Sequence, residues 1–227
     1  MVIRENSSRC GVSILELVIV IAIIGTCAAL VLPAIQQIRE SVRNTHCSNN
    51  MKQIGLGIIQ QVATTKCYPQ ISDPIPWTVQ IMDSLSDSAL KARIEQAIKN
   101  QDTYLLKSIG RSPYHLYECP NAGKTNIEPI SDLQLGAYAF NLDLCLTPRR
   151  SCPDGDSNTI LASETYDFRS PWIDGPIRAS NSIGSPHSGR LKLLLCSGSV
   201  REISSSIDPA LLIALGTPDG GEALGEY

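Results

Sequence analysis

Glu16 is the only charged residue between Arg9 and Arg39, and it lies inside the apolar run GVSILELVIVIAIIGTCAALVLP, which ends at Pro33. An ionised side chain within a membrane span costs about 2.5–3.5 kcal/mol on insertion scales, so such a residue marks function and a specific partner. Were the chain cut after Gly11, an α-amino group would appear on Val12 and Glu16 would be the fifth residue of the mature chain. An acid at that place can pair with an N-terminal amine, its own or a neighbour's.

Three further sets of residues could do chemistry. Of the eight cysteines, Cys10 precedes the cut and Cys27 lies in the apolar run, which leaves Cys47, Cys67, Cys119, Cys145, Cys152 and Cys196. In an exported chain these are disulfide candidates, because such compartments are oxidising, but spacing alone does not choose among the pairings. Cys145 and Cys152 could close a small loop around Pro148. A zinc site is the alternative, and the lack of any C-x2-C pair argues against it.

Asp154, Asp156 and Asn158 have the alternate-residue oxygen spacing of a calcium loop. The bidentate glutamate that would complete the loop is missing: Thr165 stands in its place, with Glu164 just before it. The favoured reading is a turn capped by Asx side chains ahead of a strand. His46, His115 and His187 are scattered, and His187 reads as a hydrogen-bonded turn or sheet-edge residue. No nucleophile elbow, phosphate-binding loop, dinucleotide fingerprint or HExxH motif is present, so the chain is expected not to be an enzyme.

The elements that must carry these residues follow from patterning. Val12–Leu32 is 21 residues long with one charge, and a helical span needs about 20. No second stretch of that kind exists. Arg4 and Arg9 precede the run while Arg39 and Arg43 follow it, so the basic residues leave its orientation open. An ordinary signal peptide, with a site near Thr26-Cys27-Ala28, or a lipoprotein-like Ile24-Gly25-Thr26-Cys27 would each fit part of the run. Neither accounts for a glutamate in the apolar core.

Beyond Pro33, which spans tolerate as a kink, apolar residues recur at helical spacing: Ile35, Ile38, Val42, Met51, Ile54, Leu56, Ile58 and Ile59. A single helix from about Ser13 to about Val62 would be about 75 Å long. Gly55 and Gly57 either weaken its last turns or allow close packing. Pro69, Pro74 and Pro76 break residues 67–77 into a loop, and Ser88–Asn100 suits a short amphipathic helix. Residues 110–158 suit loops and brief strands. Thr159–Ser163 suits a strand, and Arg190–Leu195 with Ser199–Ile203 suits a hairpin turning at Cys196-Ser197-Gly198. Asp208-Pro209 followed by ALLIAL and Gly216 fits a capped short helix.

The formal net charge is −3, with 43% hydrophobic and 5% aromatic residues. Loss of residues 1–11 would remove Arg4, Arg9 and Glu5 and leave a charge of −4. Such a weakly acidic head has no electrostatic reason to bind nucleic acid.

The N-terminal pattern resembles the type IV prepilins, including the pseudopilins of type II secretion. The resemblance rests on Gly11 at the cut, Glu16, and Pro33 twenty-two residues into the mature chain. It implies cleavage after Gly11 by a prepilin peptidase on the cytoplasmic side, methylation of the Val12 amine, and Glu16-directed assembly with other pilin or pseudopilin subunits. Val12 departs from the usual Phe or Met. The implied location is the inner membrane, single-pass, with the head in the periplasm or at the cell surface.

Further matches point to a group of prepilin-like proteins abundant in planctomycetes, an uncharacterised domain family. They are LPAIQQIRESVRNTHCSNNMKQIGLGI (Leu32–Ile58), Cys119-Pro120, Asp154-Gly155-Asp156-Ser157-Asn158-Thr159, and His187 with Gly198. In that family the last is an H-x9-DG motif, and here Ser197 replaces its Asp. If His and Asp touched or shared a ligand there, the contact is lost or weakened in this chain. Because Cys47 and Cys119 are both family positions, the resemblance implies that they pair. A calcium site known in one class of pseudopilins adds interest to Asp154, Asp156 and Asn158.

The expected architecture is α+β: a leader (1–11), a transmembrane helix (12–33), a helical spine (34–64) and a small antiparallel-sheet head (65–227). The expected role is a structural filament subunit with no cofactor except, at most, calcium. A membrane-anchored surface module that binds calcium, a glycan or secreted cargo is the alternative.

Overall fold

The computed structural model describes residues 13–121, 132–146, 151–165, 170–178, 183–187 and 189–221. The expected leader (1–11) lies outside them, as do Val12 and Pro148. The chain divides into two compact units, residues 1–42 and 43–227.

Helix α1 runs Ile14–Thr65 with Pro33 inside it. Its first turn is a capping box: Ser13 Oγ accepts from the Leu15 amide at 3.3 Å, and Glu16 Oε2 accepts from the Ser13 amide at 2.8 Å. Every described residue of the first unit is exposed, apolar side chains such as Ile14, Leu30 and Ile38 included. An apolar surface of that extent calls for a cover of lipid or neighbouring helices. The helix is long and apolar enough to cross a membrane, a property that N-terminal signal sequences share.

Within the second unit, α1 buries one stripe: Cys47, Asn50, Met51, Ile54, Gly55 and Ile58, the spacing of a helix face turned to a core. Leu56, expected on that face, is exposed, since it falls on the opposite side of the turn from Ile54 and Ile58. Gly55 is there for close packing. A Cβ on it would meet Leu194 Cδ1 at 2.8 Å, nearer than side-chain atoms approach.

Short helices follow: α2 (Trp77–Gln80), continued by a 3-10 turn, then α3 (Ser88–Lys99) and α4 (Thr103–Gly110). Helix α4 was not expected from the sequence. Asp102 caps it by accepting from the Leu105 amide at 2.9 Å, and Leu105, Leu106 and Ile109 supply its apolar side. The stretch read as loops and brief strands holds β1 (Tyr138–Asn141) and a further short helix, α5 (Leu142–Leu146).

Strands β2 (Ile160–Glu164), β3 (Ile177–Arg178), β4 (Arg190–Leu195) and β5 (Val200–Ser204) complete a five-stranded sheet of order β3-β1-β2-β4-β5. It is antiparallel except for the two-residue edge β3, which is parallel to β1. The β4–β5 turn needs Gly198, whose φ is +81°; the left-handed region suits glycine. Helix α6 (Pro209–Gly216) begins as its composition implies, with Asp208 accepting from the Ala210 amide at 2.9 Å and proline in the first turn.

The two-residue period of β4 divides the core. Leu191, Leu193 and Leu195 pack with Ile160, Ile203, Leu212 and Leu215 on the α6 side, while Leu194 joins Met51, Ile54 and Ile58 of α1. Trp77, Tyr117, Tyr138, Phe140 and Trp172 gather in the larger cluster. Trp77 stacks on Phe140 and meets Tyr117 edge-on, each with ring centroids 5.7 Å apart. Their polar ends are satisfied: Trp77 Nε1 donates to the Pro176 carbonyl at 2.8 Å, and Tyr117 OH to the Thr78 carbonyl at 2.6 Å. The head is thus an α+β unit built on the second half of α1.

Candidate functional site

On the α1 side of the sheet, where apolar residues would be expected, Lys192 and Glu164 are both 0% exposed. Ser163 pairs with Leu193 across β2 and β4, so one step along the register sets Glu164 opposite Lys192. Their charges are 3.8 Å apart. Lys192 Nζ also donates to the Asn44 carbonyl of α1 at 2.8 Å and lies 3.8 Å from Glu202 of β5. Glu202 in turn accepts from Asn44 Nδ2 at 2.6 Å and from Arg190 Nη1 at 2.9 Å. Burial raises the Glu202 pKa, but the hydrogen bonds from Asn44 and Arg190 and the nearby Lys192 and Arg190 charges outweigh it, and the net shift is downward.

His187 closes this cluster and is 6% exposed. Its Nε2 is 3.5 Å from Glu164 Oε1 and 3.6 Å from Cys119 Sγ. Its Nδ1 is 3.1 Å from the Asn121 amide nitrogen, and its Nε2 is also 3.4 Å from Lys192 Nζ. Ser185 Oγ donates to Glu164 Oε2 at 2.6 Å. Glu164 Oε1 is buried and, among the described residues, accepts no hydrogen bond; Lys192 Nζ lies 3.8 Å and His187 Nε2 3.5 Å from it. Nearby, Tyr138 OH reaches the Cys47 carbonyl at 3.3 Å. Burial, and then the Glu164 charge, push the Tyr138 pKa well above its usual value.

Cys47 and Cys119 form a disulfide with Cα atoms 5.4 Å apart, tying α1 to the segment before β1. The ligand atoms of Cys47, Cys119, Glu164 and His187 all lie within 4.8 Å of one another. A soft metal would need both thiolates, which the closed disulfide removes. The Lys192 ammonium already supplies the positive charge that faces Glu164. The arrangement is a buried ionic clamp.

The remaining cysteines do not pair as a Cys145–Cys152 loop. Cys145 Sγ donates instead to the Asn141 carbonyl at 3.1 Å, within α5's own first turn, and burial and then Asp143 push its pKa up to about 12. Cys152 is drawn to Cys196, with the two sulfurs 3.2 Å apart. Cys67 is half-buried and Cys27 exposed, both as free thiols.

The Asp154 carboxylate is used by the chain itself, accepting from the Gly220 amide at 2.7 Å and the Gly221 amide at 3.0 Å. Asn158 Nδ2 donates to the Asp154 carbonyl at 3.2 Å. Glu164 is committed to the ionic clamp. The segment is a capped turn, and among the described residues no oxygen cage for calcium is assembled around Asp154, Asp156 and Asn158.

Ser197 does not face His187. The whole of β4, about 20 Å at about 3.3 Å per residue, separates them, and Ser197 Oγ bonds Ser199 Oγ at 2.8 Å in the hairpin turn. A residue at 197 therefore bears on the turn and not on the histidine ring.

Sequence reading passed over Lys192 and met Glu164 only as the neighbour of Thr165 in the calcium-loop comparison. The signal was present in the lysine set inside Arg190–Leu195, an otherwise apolar strand, and in the acid that ends Ile160–Glu164. Elsewhere on the head, Ile94, Ile98, Leu106, Leu133 and Ile173 line an apolar cavity of about 330 Å³, with Lys107 and Asp174 also on its wall.

No curated protein and no solved structure matches the chain. A family model described as a protein of unknown function (DUF1559) matches residues 36–141, from the second half of α1 through β1, a stretch that includes both Cys47 and Cys119.

Proposed function

We propose that the chain is a pilin- or pseudopilin-like structural subunit with no catalytic role of its own. It is made as a single-pass inner-membrane precursor, cut by a prepilin peptidase after Gly11, methylated on Val12 and assembled with like subunits, its head in the periplasm or at the cell surface. The carrying observation is that one helix, α1, contains both the wholly exposed apolar stretch and the Cys47–Ile58 stripe on which the head's core is built. The family-model match over 36–141 is compatible with this reading.

Glu16 holds the Ser13 amide through Oε2 alone. Oε1 takes no part in that bond and is the oxygen an amine on Val12 of an adjacent subunit would meet. Pairing there would neutralise a charge that is costly in lipid and would fix the axial register of the filament. Glu16→Ala is expected to leave processing largely intact while abolishing the filaments recovered by shearing. Normal filament yield from that variant would refute the pairing.

The apolar cavity between α3 and α4 favours a second reading, a membrane-anchored module whose head binds a ligand or secreted cargo. In that case the wild-type chain stays entirely in the membrane fraction after shearing.

A further inference from the structure

Cys152 and Cys196 come from separate segments, the turn ahead of β2 and the turn after β4, and both are buried. Their sulfurs are 3.2 Å apart, whereas a disulfide needs about 2.05 Å, so closure brings them about 1.2 Å nearer. The backbones are already laced together. The Cys196 amide donates to the Thr159 carbonyl at 2.9 Å and the Ser197 amide to the Asp156 carbonyl at 2.7 Å, while the Gly155 amide closes the turn that carries Cys152 by donating to the Cys152 carbonyl at 2.9 Å. Tyr68 OH, 3.9 Å from Cys152 Sγ, covers the pair from the start of the head. Among the described residues no third histidine, cysteine or carboxylate ligand atom joins the two sulfurs, so a metal is not what brings them together.

We propose that Cys152 and Cys196 are a second disulfide of the head, closed by thiol–disulfide exchange with a disulfide oxidant once the head is exported. The Cys152 thiolate attacks one sulfur of the oxidant's disulfide, forming a mixed disulfide and releasing one oxidant thiolate. The Cys196 thiolate then attacks the Cys152 sulfur and releases the second. Two electrons pass to the oxidant, which leaves as a dithiol carrying the two protons that the cysteines lost. The head then holds the Cys47–Cys119 and Cys152–Cys196 bonds, with Cys67 and Cys145 remaining as thiols. The second bond closes the loop that carries β2 and β4 and pins the β4–β5 hairpin turn to the segment before β2.

The export step rests on the proposed function, but the pairing does not, and the two are tested apart. For the pairing, the detergent-solubilised full chain is reduced, then equilibrated in a glutathione redox buffer, alkylated and digested without reduction. A cross-linked peptide joining Cys152 to Cys196 is expected, with the count of alkylatable thiols two lower than in a control in which only Cys47–Cys119 is closed. Cys152→Ser should free the Cys196 thiol and Cys196→Ser the Cys152 thiol, while Cys145→Ser should leave the cross-link in place. Recovery of Cys152 and Cys196 as alkylated thiols while Cys47–Cys119 is closed, or of Cys152 linked to Cys145, overturns the pairing. For the export step, thiols are trapped with acid in whole cells. A cross-link that forms in the redox buffer but is absent in cells would contradict the compartment and leave the pairing standing.

Discussion

Lys192 and Glu164 face each other across β2 and β4 with 3.8 Å between their charges, and neither is exposed to solvent. Removing one partner of such a pair leaves the other as an uncompensated buried charge. Lys192→Met is therefore expected to destabilise the head by about 3–5 kcal/mol, read from denaturant unfolding of the full chain in detergent. The double variant Lys192→Met/Glu164→Gln should recover much of that loss. An unchanged midpoint in the single variant would show that the charges are not coupled.

Gly55 makes a separate demand on the α1–β4 contact. A Cβ there meets Leu194 Cδ1 at 2.8 Å and Cδ2 at 3.3 Å, so the leucine, itself fully buried, must shift to admit it. Gly55→Val is expected to cost about 1–3 kcal/mol, in the range of overpacked cores. Leu194→Ala, itself destabilising, should remove most of the additional cost of Gly55→Val when the two are combined, as a double-mutant cycle would measure.

Glu202 sets a pH dependence. Its folded-state pKa lies below the ordinary value of 4.5, since its hydrogen bonds from Asn44 and Arg190 and the charges of Lys192 and Arg190 outweigh the upward effect of burial. The stability it contributes is therefore fully present above the unfolded-state value and is lost as pH falls through the folded one. Thermal unfolding midpoints should decline as pH drops below about 4.5, the ordinary glutamate value, and Glu202→Gln should flatten that part of the profile. A wild-type profile that the substitution leaves unchanged would contradict the assignment.

How much of this was legible depended on how local the cause was. The Asp208 cap and Pro209 start of α6, the β4–β5 turn at Gly198 and the extent of α1 follow from neighbouring residues, and pattern sufficed for each. Asp102 before Leu105, Leu106 and Ile109 was a local start signal of the same kind that went unread. The Lys192–Glu164–His187 clamp could not be read the same way, because its members are brought together by strand register and by a carbonyl of α1 far away in sequence. The Ser197 substitution misled for a related reason: closeness to His187 in sequence became, across an extended strand, closeness to the hairpin turn and to Asp156 ahead of β2. The cysteines show both cases, with Cys47–Cys119 implied by resemblance and the approach of Cys152 to Cys196 visible only once β2 and β4 were paired.

The central claim is that α1 begins as a processed, assembly-competent N-terminus. Intact-mass and fragmentation mass spectrometry of the chain purified from membranes tests it most directly. The expected species starts at Val12, carries one methyl group on its α-amine and retains Glu16. A mature chain that starts near Ala28, or a lipid-modified Cys27 at the N-terminus, would contradict it.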